Sequence, residues 1–210
     1  MILFLLKTTA YFNKITKPNS KQNNIMKKNL YILLFILPLV SAHAESNPFF
    51  NGYENQFVFN IGSGVNGGFL LPPPTQWVPF AMLNAQYSQP AIFFGLHARK
   101  SLNIIQTIGY GQRYNWDWEK FTIPIGIISM DIVPIHGKKW YTFIGIGAGF
   151  QVQQNDRIGS KFLFTFKFGG AYRLSDCSSI EFFAQHFSNG NTAPENNSYA
   201  FYGLGMTYNF

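Results

Sequence analysis

Near its end the chain alternates apolar and polar positions with a period of two. Phe162, Phe164, Phe166 and Phe168 fall on one side of an extended backbone, with Thr165 and Lys167 on the other. The closing segment repeats the pattern: Tyr202, Leu204, Met206, Tyr208 and Phe210 alternate with Gly203, Gly205, Thr207 and Asn209. That period predicts strands. Segments at 54–63, 78–88, 91–99, 104–113, 120–133, 140–153, 161–174, 178–188 and 199–210 read the same way, punctuated by glycine, proline and asparagine, which makes nine. The weakest two flank Gln89-Pro90, where one kinked strand imitates a pair.

One apolar run breaks the pattern. Met26-Lys27-Lys28 precedes the stretch Leu30 to Val40, and Ala42-His43-Ala44 follows it. A charged start, a short apolar stretch and small residues at the end form a secretory signal peptide, too short for the roughly 20 residues of a spanning helix. Residues 1–44 are therefore expected to be removed after Ala44, with Met26 as the start and residues 1–25 as an upstream extension. The leader carries six of the 16 lysines and arginines and none of the nine acids, leaving ten against nine in residues 45–210. The formal +7 of the whole chain is thus no sign of nucleic-acid binding.

Residues 45–210 suit one domain, and Cys177 alone excludes an intramolecular disulfide. Few charges, many aromatics and glycines, and no helix-length apolar segment after the leader predict a closed antiparallel barrel, with a soluble β-sandwich as the competitor. Ending on an aromatic strand with a terminal phenylalanine resembles the assembly signature of outer-membrane barrels. The expected fold is all-β, an eight-stranded antiparallel transmembrane β-barrel of the bacterial outer membrane, since single-chain bacterial barrels have even strand numbers. With both termini in the periplasm, the Ser175–Ser178 turn lies there too, and 189–198 lies outside the cell.

Candidate chemistry gathers at Gln185-His186-Phe187-Ser188-Asn189-Gly190. On a strand His186 and Ser188 share a face with Ala184, Phe182 and Ile180, their Cα atoms roughly 6.8 Å apart, while Gln185 and Glu181 face the other way. An imidazole beside a hydroxyl is a general base beside a nucleophile. On a lipid-facing wall such polar groups are costly unless they serve a purpose or lie in the interface. Glu181 instead turns toward the lumen, where Lys167 and Arg173 are candidate partners. Gly62 to Gly68 lacks the lysine and helix of a phosphate loop and reads as a connection into Pro72-Pro73-Pro74. His97 and His136 have no partners at metal spacing, so no metal site is assigned. Trp77, Trp116, Trp118 and Trp140 suit interfacial girdles.

His186-Phe187-Ser188-Asn189-Gly190, then Pro194, Asn196 and the aromatic closing strand, resemble the lipid A 3-O-deacylase (PagL) family. Tyr141 to Gly149, Arg157-Ile158-Gly159-Ser160 and Phe162 to Tyr172 resemble the preceding strand, loop and strand more loosely. The resemblance implies an eight-stranded barrel that hydrolyses the ester-linked acyl chain at the 3 position of lipid A in lipopolysaccharide, among outer-membrane lipids and without cofactor or metal. It implies Ser188 as nucleophile, His186 as base, and Asn189 and Asn196 at the oxyanion side. A homodimer is left open. The chain departs from the family at the third member, because the acid expected about fourteen residues after the histidine is Ala200. Glu195 is the nearest acid. Its functional reading is the missing triad member; its ordinary one is a solvated loop charge. A phospholipase, or a structural or adhesive barrel without activity, fits the same residues.

Overall fold

The computed structural model describes residues 47–66, 76–113 and 116–210. Among the described residues there are ten strands: β1 (Gln56–Asn66), β2 (Gln76–Phe93), β3 (Leu96–Gly109), the short β4 (Gln112–Arg113) and β5 (Trp116–Asp117), β6 (Pro124–Ile132), β7 (Trp140–Gln151), β8 (Phe162–Arg173), β9 (Ser178–Ser188) and β10 (Tyr199–Asn209). Eight of them close into an antiparallel barrel in the order β1-β10-β9-β8-β7-β6-β3-β2. The β4–β5 hairpin and a 3-10 turn at Trp118–Phe121 lie between β3 and β6. The signal-peptide reading of residues 1–44 and the Pro72-Pro73-Pro74 connection fall outside the described residues.

The register fixes the barrel's shape. From Asn209 the ladder passes through Gln56, Ser88, Ser101, Ser129, Gly147, Thr165 and Phe187, and returns to β10 at Tyr199, ten residues before its start. A stagger of that size on eight strands requires strands inclined by about 35–45° and leaves an interior just wide enough for side chains. Outward positions are apolar and exposed, as at Phe59, Ile61, Ile104, Ile128, Ile146 and Met206, so the wall is dressed for lipid.

Three expected strands, 78–88, 91–99 and 104–113, merge into two. Gln89-Pro90 lies inside β2, and the turn comes later, at Phe94-Gly95, where both residues have positive φ (48° and 79°). Proline is tolerated because β1 stops pairing with β2 at Ser88, so Pro90 meets a partner only on the β3 side, at Arg99. Gly64 to Asn66, beyond the expected strand 54–63 and read as part of a connection, instead continue β1 through a register shift between Ser63 and Val65.

The lumen is filled in layers. In the middle, the Arg99 guanidinium bonds Asp131 at 2.8 Å and Glu181 at 3.0 Å, and the Lys167 ammonium lies 3.7 Å from Glu181. At the end bearing the chain's C-terminus, Phe49 tucks in with its ring centroid 4.2 Å from Arg99. Phe50 is buried beside it. Arg173, expected in this network, bonds the carbonyls of Pro48 and Lys138 at the rim instead. At the opposite end Trp118 is buried against Phe80 and Phe121, with centroids 6.0 and 5.3 Å away. It is part of an interior plug and not of a girdle. Trp77 and Trp140 do stand outward, exposed at opposite ends of the barrel.

Candidate active site on the outer wall

Strand β9 carries the candidate pair. Glu181, Phe183, Gln185 and Phe187 are buried in the lumen, while Phe182 on the alternate parity is 61% exposed. His186 and Ser188 share the parity of Phe182 and are half-buried in the wall. The structure therefore places both on the lipid-facing side, at the loop end of β9. His186 faces Phe166 on β8 and Ala200 on β10, and Ser188 faces Phe164. One row toward the mid-plane, an apolar groove of about 530 Å³ opens in the wall, with Phe168, Gly170, Phe182, Ala184 and Tyr202 among its lining.

The loop after Ser188 folds around Asn189, whose side chain is wholly enclosed. Its Nδ2 donates to the carbonyls of Glu195 (2.8 Å) and Ala193 (3.3 Å), and its Oδ1 accepts from Asn191 N–H at 2.8 Å. The Asn189 N–H donates to Asn196 Oδ1 at 3.0 Å, and Asn196 Nδ2 donates to Asn191 Oδ1 at 2.8 Å. The two asparagines are thus brought together, and both Nδ2 hydrogens of Asn189 are used within the loop. The turn needs left-handed backbone at Gly190 (φ 62°) and Asn191 (φ 63°). Gly190 also has no room for a side chain, since a Cβ there would lie 2.8 Å from the Phe164 ring.

The acid candidates divide. Ala200 is the direct cross-strand neighbour of His186, a separation of roughly 4.5–5.5 Å between Cβ atoms that a carboxylate could bridge. Its methyl group cannot. Glu195 is exposed, and its carboxylate lies over Gly159, so close that a Cβ there would clash with Oε2. Its backbone carbonyl accepts from Gly159 N–H at 2.9 Å. Sequence reasoning missed this pairing between the 152–161 and 189–198 loops, continued by an isolated bridge between Ile158 and Asn196; no periodic signal marks contacts between irregular segments.

The sequence profile of the lipid A 3-O-deacylase (PagL) family matches residues 95–209, more than half of the chain. No curated protein matches. Among solved structures, the crystal structure of the outer membrane enzyme PagL is 14% identical with a TM-score of 0.47, covering 74% of this chain and 99% of that one. Neisserial surface protein A is 8% identical with a TM-score of 0.45, covering 74% and 96%. On the strength of the profile match, the chain belongs to the lipid A 3-O-deacylase (PagL) family and is a β-barrel of the bacterial outer membrane.

Proposed function

We propose that this barrel is a serine esterase that removes the 3-position ester-linked acyl chain from lipid A, with Ser188 as nucleophile and His186 as its base. The observation that carries this reading is the shared outward face of the two side chains at the loop end of β9. With the loop end outside the cell, they stand beside the outer leaflet, and lipopolysaccharide reaches them laterally. Its acyl chain has an apolar bed in the groove below His186.

In the reaction His186 takes the Ser188 hydroxyl proton as Oγ attacks the ester carbonyl. The tetrahedral oxyanion collapses, the C–O bond to the sugar breaks, and the imidazolium returns its proton to the leaving sugar oxygen. Water, deprotonated by His186, then attacks the acyl-Ser188 ester, the bond from the acyl carbon to Oγ breaks, and the imidazolium returns its proton to Ser188 Oγ as the fatty acid leaves. Asn196 spends one Nδ2 hydrogen on Asn191, which leaves it the better oxyanion donor of the two asparagines. Asn189 serves by holding the loop. Glu195 acts as a solvated loop charge, so the histidine works without a carboxylate and turnover is slow relative to a complete triad. All these residues come from one chain, and a homodimer adds nothing to the site.

Mass spectrometry of lipid A and phospholipids from cells expressing the protein tests this. Wild type is expected to yield lipid A lacking the ester-linked acyl chain at the 3 position, and Ser188→Ala none. Intact lipid A beside lysophospholipid would make the protein a phospholipase. Identical lipids from wild type and Ser188→Ala would make it a barrel without this activity.

A further inference from the structure

The loop end holds a cation that the proposed reaction does not use. Arg157, in the loop between β7 and β8, is only 6% exposed. Its Nε–H donates to the carbonyl of Ser198. Its guanidinium lies 5.6 Å from the centroid of the Trp118 ring, and its own carbonyl accepts from Asn197 N–H at 2.8 Å. Asn155 prepares this geometry: its Oδ1 accepts from the N–H groups of Arg157 and Ile158 at 2.9 and 2.8 Å, while its Nδ2 donates to the Tyr199 hydroxyl.

Ser198 is an unusual residue to hold. It is the last loop residue before β10 and has a φ of 54°, a left-handed conformation that serine adopts only at a cost. The β9–β10 ladder ends at the pair Phe187 and Tyr199, the chain neighbours of Ser188 and Ser198, and at the next rung Ala200 faces His186. The bond from Arg157 therefore ends on the residue just outside the last rung of the ladder that carries the nucleophile's strand. Burial pulls the guanidinium down to about 10, with Tyr199 opposing, so it stays charged at neutral pH. A cation kept from water carries a desolvation cost that a neutral donor would avoid. The ring face and the carbonyl offset part of it.

We infer that Arg157 is a positioning residue for the hydrolysis: through the Ser198 carbonyl it fixes where the 189–198 loop rejoins the wall, and with it the alignment of Ser188, His186 and the loop's amide donors. It touches neither substrate nor the reacting atoms. The inference rests on the Ser188–His186 reading.

Kinetics of the purified full barrel on lipid A in mixed micelles test it, with folding of each variant checked by heat-modifiable gel mobility. Arg157→Met keeps the apolar packing on Trp118 and loses the donor. It is expected to lower kcat about tenfold or more with KM within about twofold. Arg157→Lys restores part of that loss. Arg157→Ala regains kcat severalfold on adding guanidinium well below denaturing concentration, and Ser188→Ala does not. A folded Arg157→Met barrel with wild-type kcat overturns the inference, as does an Arg157→Ala loss that guanidinium leaves unchanged. Full activity in Ser188→Ala would instead overturn the Ser188–His186 reading on its own.

Discussion

Alanine at position 200 is the residue on which the activity of this barrel turns. It faces His186 across the β9–β10 ladder, so the side chain best placed to orient the imidazole is a methyl group. An orienting carboxylate fixes the tautomer and stabilises the imidazolium, and losing it elsewhere costs up to about 10⁴ in kcat while leaving residual catalysis. Ala200→Glu is therefore expected to raise kcat by about tenfold or more on lipid A, measured by release of free fatty acid. An unchanged kcat in a folded variant would mean that His186 is oriented without a carboxylate at this position. Glu195→Gln, by contrast, should leave kcat within about twofold, because a solvated loop charge contributes little. Gly190 sets the other limit at this scale. Gly190→Ala combines positive φ with a clash on the Phe164 ring and should lower kcat without unfolding the wall, as circular dichroism would report.

Strands were legible wherever one face meets lipid and the other the lumen, because the period of two then has a physical cause. Phe162 to Phe168 and Tyr202 to Phe210 carry it plainly, and the same parity put His186 and Ser188 outward and Glu181 inward. It failed around Pro90, where β2 runs past the end of β1 and no second partner demands an N–H, and at Gly64 to Asn66, where small residues and a bulge hide the end of a strand. Arg99 was missed as the partner of Glu181 because the turn between β2 and β3 was misplaced, which obscured its parity. The loop contacts of Arg157 and Asn189 leave no periodic trace at all. The interior network makes its own demand at the scale of strands, since Arg99 on β3 joins Asp131 on β6 to Glu181 on β9. Removing it leaves two enclosed carboxylates with Lys167 as the cation beside them and the Tyr141 hydroxyl as a neutral donor to Glu181. Arg99→Met is expected to cost about 3–5 kcal/mol, seen as a lower urea midpoint for loss of heat-modifiable mobility. A midpoint equal to wild type would show that the network adds no stability.

Among the described residues, the barrel is filled by side chains along its axis and is not an open pore. Eight strands with a ten-residue stagger leave room only for side chains, and that room is occupied: Phe49 and Phe50 at one end, the Arg99 network in the middle, and Phe80, Trp118, Phe121, Phe187 and Phe201 at the other. A substrate cannot pass through the axis, so chemistry on this scaffold belongs on the outer wall or among the loops, where His186 and Ser188 lie. Phe49 and Phe50 and the candidate site occupy opposite ends of the barrel and share no side chain, which makes their effects separable. Phe49→Ala removes the ring that lies under the Arg99 guanidinium and meets Tyr141 edge-on, with centroids 5.1 Å apart. It should cost about 3–5 kcal/mol of stability, leave kcat on lipid A unchanged, and still give no steady ion conductance in planar bilayers because two filled layers remain. Channel openings from the wild type or from this variant would mean that the inner layers yield to water, and lateral access would then no longer be the only route to the interior groups.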